Sequence, residues 1–372
     1  MWQFPTSMVA PTSVWVVVVI VVAAGAAGLG FFAGYEYRSS PGSTPSSVAN
    51  STLSVLGAGT LNTVFPQVAS ALVNETPGIS APAAAQTYEG SLEVTTAVSS
   101  LSARVDVAAV ADFRLIPQLL EPTHASYEVA FASTPEVLVY NPSIAAFDGI
   151  NSSNWGTKLY DAVTTAGVAP FAVWNASTDP NGYNEIFSMM LQGQLYGGGD
   201  TTAVYSHFYS GPPGSFAVPN PSVTRVEKEG QAASLISTGV VSSLITYRAY
   251  AALNHLTYVT LDPIVGLASN SSTALADYAK LSTTILSSSG ASESVFPAPV
   301  LFAVTVPSNA PNPELGAAFL HLLLSPEGSA LLSADGAFTP VFPGWADTPS
   351  AVPSVLAPDV VPMPTWAAGY LA

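Results

Sequence analysis

The chain reads as an α/β protein of two lobes, and three observations predict it. Short apolar runs rich in β-formers alternate with amphipathic helical patterns along most of its length. After the N-terminal segment is set aside, roughly 310 residues remain, a size that suggests two lobes or domains. Turns of one kind, glycine with a hydroxyl residue or aspartate with proline, recur where a strand pattern runs into a helix pattern.

The elements follow in order. LSVLGAG (53–59) has the unbroken apolar character of a buried strand, and residues 62–73 have the spacing of an amphipathic helix. VDVAAV (105–110) reads as a strand, FRLIPQLL as a short helix, and VAFAS and EVLVYN as extended segments. NWGTKLYDAV is helical in spacing, GVAPFAVW is a strand, and 183–195 a helix. Next come a strand at 239–247, a helix in RAYAALNHL, and strands in TYVTL and VLFAVTVP. Helices return at PELGAAFLHLLL and PEGSALL. Such alternation predicts mostly parallel pairing, with ligand sites at the C-terminal ends of the strands.

Before this body lie three segments: a short start (1–13), an uncharged apolar run (14–34), and a Ser/Pro/Gly-rich spacer (35–52). Twenty-one residues at the helical rise of about 1.5 Å each can span a hydrocarbon core of about 30 Å. The run therefore predicts a single-pass anchor at the cell membrane, with the body on the extracellular face. A cleaved secretory signal is the alternative, since AAGAAG offers small residues to a peptidase. Five N-x-S/T triplets, at Asn50, Asn74, Asn151, Asn175 and Asn270, are compatible with an exported glycoprotein. Residues 346–372 form a Pro-rich, apolar C-terminal tail that could pack on the body or touch the membrane.

Composition narrows the function. Asp+Glu number 24 against 8 Lys+Arg, a net charge of −16, which excludes a nucleic-acid partner because few cations exist to displace phosphate counterions. Without cysteine there is neither a thiolate metal site nor a cysteine nucleophile. Four histidines (His124, His207, His255, His321) lack metal-ligand spacing, and no nucleophile elbow accompanies them, so the chain is not expected to be an enzyme or to carry a cofactor. Asp112, after a strand, is expected to cap the next helix, and Met189 and Met190 to be core.

The junctions point instead to anion binding. In residues 171–187 an apolar strand passes through a polar turn into a helix whose start carries Asp179, Pro180 and Gly182. Residues 57–65 and 88–98 repeat the pattern with Thr60 and Ser91. Free N–H groups at helix starts, together with hydroxyls, satisfy a tetrahedral oxyanion, which accepts hydrogen bonds and donates none. An ionised Asp179 beside such a ligand would repel it, so this carboxyl must be protonated or turned aside as a cap. A structural cell-surface protein would explain the anchor and the sequons but not the junctions.

The blocks VLGAGTL, EGSLEVTTAV, DVAAVADFRLIPQLLEP, VAFASTPEVLVYN, INSSNW, TDPNGY, VTVPSNAPNPELGAAFLHLLLSPEG and TPVFP, in that order, resemble the archaeal tungstate/molybdate-binding proteins of ABC importers, relatives of the periplasmic molybdate-binding proteins. The resemblance implies a type II, Venus-flytrap fold of the periplasmic-binding-protein kind, with chain crossings near 133–139 and 255–261. Lobe 1 is then 53–135 with 257–345, and lobe 2 is 136–256. It implies capture of tungstate or molybdate, with an ABC permease and ATPase as partners; another tetrahedral oxyanion such as sulfate is the alternative. Position by position, Thr60 and Ser91 match hydroxyl donors, and Asp179 matches an acid that contacts the tungsten or molybdenum directly. Asn181 stands where the family has cysteine and would offer its backbone N–H. Tyr247 matches a tyrosine that donates its phenol. Thr246 replaces a glutamate, so one carboxylate is missing and a four-coordinate, hydrogen-bonded oxyanion is expected over a six-coordinate centre.

Overall fold

In the computed structural model, residues 50–165, 167–286 and 290–371 are described. The expected anchor and nearly all of the spacer lie outside the described residues. Among the described residues no single helix is long and apolar enough to cross a membrane.

Seven strands form one sheet in the order Val360–Pro362, Thr339–Ala346, Val129–Ser133, Leu301–Thr305, Val107–Val110, Val55–Ala58, Gln86–Glu89. Val55–Ala58, Val107–Val110 and Leu301–Thr305 are buried at every position, which is why they appear in the sequence as unbroken apolar runs without alternation. Val55–Ala58 runs parallel to both of its neighbours. Leu301–Thr305 is antiparallel to Val107–Val110 and to Val129–Ser133. The sheet is thus mixed where mostly parallel pairing was expected. The strand that comes back after a long excursion is not delivered by a short helical crossover, so nothing obliges it to enter in the parallel sense.

The chain leaves this sheet at Ser133 and starts a second at Glu136. Glu136–Tyr140 lies between Ser243–Tyr247 and Tyr258–Thr260, antiparallel to both. Ala172–Trp174 pairs in parallel with Thr224–Val226 and is joined to the same layer by a bridge from Phe171 to Ser243. Helix Pro180–Tyr196 packs against Ala172–Trp174, Ser243–Tyr247 and Glu136–Tyr140, buried from Pro180 through Gly193. Two of its buried polar residues are tied off within the fold. Ser188 donates to the Val265 carbonyl at 2.8 Å, and Gln192 accepts from the Trp155 indole at 3.0 Å.

The expected second crossing at 255–261 is corrected. Tyr258–Thr260 still belongs to the small sheet. Helix Ser272–Tyr278 and the hairpin Thr283–Leu286/Ser292–Val295 also attach there, through Gln194 to Asp277 at 3.0 Å and Thr283 to the Ser215 carbonyl at 3.2 Å. The chain regains the large sheet only at Leu301. Periodicity marks a strand but not the sheet it joins, so TYVTL alone could not reveal that some forty further residues stay with the small layer.

The C-terminal tail packs on the body, and the boundary expected at 345/346 is corrected. Thr339–Ala346 is one strand, and Val360–Pro362 pairs with its end in parallel to form the sheet edge. Trp366 meets Trp345 edge to face at 5.9 Å, and the Tyr370 ring lies 6.0 Å from the Arg114 guanidinium.

Candidate functional site

Six loops or helix starts at the C-terminal ends of strands meet where the two sheets face each other. From the large-sheet side come Thr60, Ser91 and Asp112, after Val55–Ala58, Gln86–Glu89 and Val107–Val110. From the small-sheet side come Asp179, Glu229 and the pair Thr246–Tyr247, after Ala172–Trp174, after Thr224–Val226 and at the end of Ser243–Tyr247.

The two sides touch directly. The Leu92 N–H, in the first turn of helix Ser91–Ser99, donates to the Thr178 carbonyl at 3.2 Å. A Cβ built on Gly90 would lie 2.2 Å from that oxygen, so only glycine permits the approach. Thr60, 2 % exposed, donates its hydroxyl to Glu229 Oε1 at 2.6 Å. Tyr183 donates its phenol to Asp112 Oδ2 at 2.6 Å.

Two of the expected hydroxyl donors, Ser91 and Tyr247, share one arrangement with Thr246, which was expected to stand in a glutamate's place. Ser91 Oγ accepts from the Ala111 N–H at 2.9 Å, Thr246 Oγ1 from the Asn181 side-chain amide at 2.9 Å, and the Tyr247 hydroxyl from the Asn184 amide at 3.2 Å. In each case an N–H uses a lone pair of the hydroxyl and leaves its proton as the group to be donated, which suits an acceptor-only ligand. Asn181 is brought to Thr246 by this bond. Its backbone N–H, expected to serve the ligand, instead donates to Asp179 Oδ1 at 2.9 Å. Asp179 is thereby the N-cap of helix Pro180–Tyr196, preorganised by proline at the first helical position.

The electrostatics of the two sides differ. Burial raises the Asp179 carboxyl to about 6; the Asn181 N–H opposes the rise and Glu93 adds to it. Glu229 is pushed well above the ordinary glutamate value by burial and by the negative field of Asp179, with the Thr60 hydroxyl opposing. Glu136, in register opposite Tyr247, is raised by burial and by Glu185, Asp179 and Glu229. Glu185 is raised by burial although the Tyr209 phenol and the Trp174 N–H both donate to it. On the large-sheet side, burial would raise Asp112, but the charge and hydrogen bonds of Arg114 at 2.6 Å, with the Tyr183 phenol, hold it below the ordinary aspartate value. Asp112 also accepts from the Arg114 backbone N–H at 3.0 Å, close to the capping role expected of it.

Glu229, Glu136, Tyr183, Asn184 and Arg114 are the residues of this region that sequence reasoning passed over. A signal existed for two of them. Glu229 and Gly230 stand in a fourth strand-to-helix junction, between Thr224–Val226 and helix Glu229–Ser237. Glu136 is a lone acid opening an apolar strand. The histidines are dispersed: His321 bonds Asp359 at 2.5 Å, and the His207 ring lies 4.0 Å from that of Tyr160. Met189 and Met190 are buried core.

Residues 53–337 match the family model described as bacterial extracellular solute-binding protein. The chain belongs to that family. Among relatives of this solute-binding protein, the molybdate/tungstate-binding protein of Pyrococcus abyssi is 29% identical over 254 residues, covering 65% of this chain and 70% of its own. The molybdate/tungstate-binding protein of Thermococcus kodakarensis is 28% identical over 249 residues, covering 64% and 68%. Among solved structures, the periplasmic molybdate-binding protein of Azotobacter vinelandii superposes with a TM-score of 0.50 at 14% identity, over 78% of this chain and 98% of its own. The substrate-binding protein of an ABC transporter from Agrobacterium tumefaciens gives 0.51 at 14% identity, over 85% and 88%. These likenesses establish the periplasmic solute-binding protein fold, of mixed α/β type.

Proposed function

We propose that this solute-binding protein captures tungstate or molybdate outside the cell, in the cleft between its two sheets, and delivers it to an ABC permease and ATPase. The observation that carries the reading is the set of hydroxyls, Ser91, Thr246 and Tyr247, each accepting from an amide so that its proton is left for an acceptor-only ligand. Thr60 and the start of helix Ser91–Ser99 supply further donors once their present acceptors give way. The names of the Pyrococcus and Thermococcus relatives support the choice of ligand.

In this reading the oxyanion is four-coordinate and held by hydrogen bonds. Asp179 already caps its helix, and Thr246 offers a hydroxyl to the ligand. In the same proposal the 14–34 run serves as the membrane anchor of the body, and the more exposed sequons carry sugar. The part built on the large sheet and the part built on the small one act as the two lobes of a flytrap.

A thermal-shift panel of tungstate, molybdate, sulfate and phosphate tests the reading. A ligand that binds only the folded chain stabilises it by RT ln(1 + [L]/Kd), about 2.7 kcal/mol at a hundred-fold excess over Kd. Tungstate or molybdate should raise the midpoint at micromolar concentration. A midpoint unmoved by all four would overturn the oxyanion reading.

A further inference from the structure

Where the chain crosses from one sheet to the other, an open cavity of about 490 Å³ lies apart from the cleft. Its walls are the crossing segments, residues 133–135 and 299–301, together with the side chains of Arg248, Phe342, Trp345 and Trp366. None of Thr60, Ser91, Asp112, Asp179, Thr246 and Tyr247 lines it. Packing of the tail on the sheet accounts for the edge-to-face contact of Trp366 with Trp345. It does not account for the space beside them, which falls in the roughly 300–1,000 Å³ range of sites that take small organic molecules.

The main chain at Arg248 is fixed by the first crossing. Its N–H donates to the Pro135 carbonyl at 2.8 Å, and the Ala249 N–H donates to Thr134 Oγ1 at 3.0 Å. The guanidinium is held more loosely. Nε donates to the Ala337 carbonyl at 3.5 Å and Nη2 to Thr339 Oγ1 at 3.3 Å, both longer than the roughly 2.7–3.2 Å usual for such bonds. Among the described residues Nη1 has no acceptor and no carboxylate pairs with the group, in a chain with 24 Asp and Glu. A planar guanidinium fork matches a carboxylate through two parallel N–H···O bonds. Beside it the two half-buried tryptophans and Phe342, 51 % exposed, offer flat apolar surface.

We infer that this cavity is a second ligand site, which takes a small organic carboxylate with a flat apolar body, the carboxylate on Arg248 and the body against Phe342, Trp345 and Trp366. A bare tetrahedral oxyanion could meet the guanidinium but would leave the aromatic walls in water, so the ligand of this site differs in class from the one proposed for the cleft. The inference does not rest on the oxyanion reading, because no residue of the cleft takes part. Arg248 is the specificity-determining residue. An amide of the same shape fills the walls equally well but brings no charge, and it turns N–H donors toward a group that only donates.

The test titrates the full chain with indole-3-acetate and with indole-3-acetamide, its uncharged counterpart, by ligand-observed NMR, beside the variants Arg248→Gln and Ala268→Trp. In the wild type the acid should bind saturably and the amide about ten-fold more weakly, the worth of one charge-assisted pair. Arg248→Gln should bind the two alike. Ala268 is an exposed residue of the cavity wall, so Ala268→Trp fills the space and should weaken both. The inference is overturned by no saturable binding of the acid, by equal binding of acid and amide in the wild type, or by a preference for the acid that survives Arg248→Gln. Should Arg248→Gln not fold, Ala268→Trp decides: acid bound there as in the wild type would place the site elsewhere.

Discussion

The two faces of the cleft handle buried carboxyls in opposite ways. On the large-sheet face Asp112 is neutralised by Arg114 at 2.6 Å and held below its ordinary value. On the small-sheet face Glu136, Glu185 and Glu229 are buried with no cation against them and are held above theirs, chiefly by loss of water. Glu128, beneath the large sheet, is a further acid of the second kind, with burial leading and Asp347 adding to it. The difference teaches that loss of water raises a buried carboxyl where no cation meets it, and that the Arg114 guanidinium is enough to reverse that rise at Asp112.

The largest expected effect follows from breaking the ion pair. Arg114→Ala leaves Asp112 buried with only the Tyr183 phenol and backbone donors, and should cost about 3–5 kcal/mol in chemical denaturation. A loss under 1 kcal/mol would show that the two faces do not differ as described.

Adding an acid to the small-sheet face sharpens the contrast from the other direction. Thr246→Glu places a carboxyl beside Asn181 and the proposed dianion, and should weaken tungstate binding by roughly a hundred-fold at neutral pH, with partial recovery in acid. X-ray absorption at the tungsten edge would reveal the contrary outcome, a six-coordinate centre with affinity kept.

Titration separates the faces more gently. Glu128, Glu136, Glu185 and Glu229 keep their protons in the folded chain above the ordinary value of 4.5, so the unfolded chain releases protons first as pH rises. Asp179 does the same between 3.8 and about 6. The folded state therefore loses stability from about pH 4.5 upward. Asp112 has the opposite sign: its contribution is present above 3.8 and is lost as pH falls through the lowered value. Thermal midpoints should be higher at pH 5 than at pH 8, and Glu185→Gln should flatten that slope. A midpoint rising from pH 5 to pH 8 would contradict the account of the small-sheet face.

The smallest effect concerns Asn175, four residues before Asp179. Its amide donates to Glu227 at 2.8 Å, its side-chain oxygen accepts from Ser177, and its carbonyl accepts from Thr178 and Asp179. A glycan there would undo this turn, so Asn175 is expected to be unmodified even where Asn50 or Asn270 carries sugar. Glycopeptide mass spectrometry showing Asn175 occupied would contradict the placement of the loop.

The readable part of the cleft lay in the junctions where local chemistry and fold agree. Glycine and a hydroxyl after VLGAG, and Asp-Pro before GYNEIF, announce a helix start whatever surrounds them, and the structure puts Thr60, Ser91 and Asp179 at such starts. The partners of these residues were not legible. The contact of Thr60 with Glu229 spans 169 positions, and that of Asp112 with Tyr183 spans 71, so only the folded chain brings them together. Sheet membership of Tyr258–Thr260 and of the C-terminal edge strand Val360–Pro362 was hidden for the same reason: short strands take their place from neighbours, not from their own period.

Isothermal calorimetry of the full chain with tungstate, beside Ser91→Ala, tests the central claim most directly. Ser91→Ala removes one donor to a buried charged ligand, worth roughly 1.5–3 kcal/mol, or ten- to a hundred-fold in affinity. The wild type is predicted to saturate at one oxyanion per chain and the variant to bind weaker by that factor. Equal affinity in the two would place the site away from this cleft, and no saturable heat with tungstate, molybdate or sulfate would contradict oxyanion capture altogether.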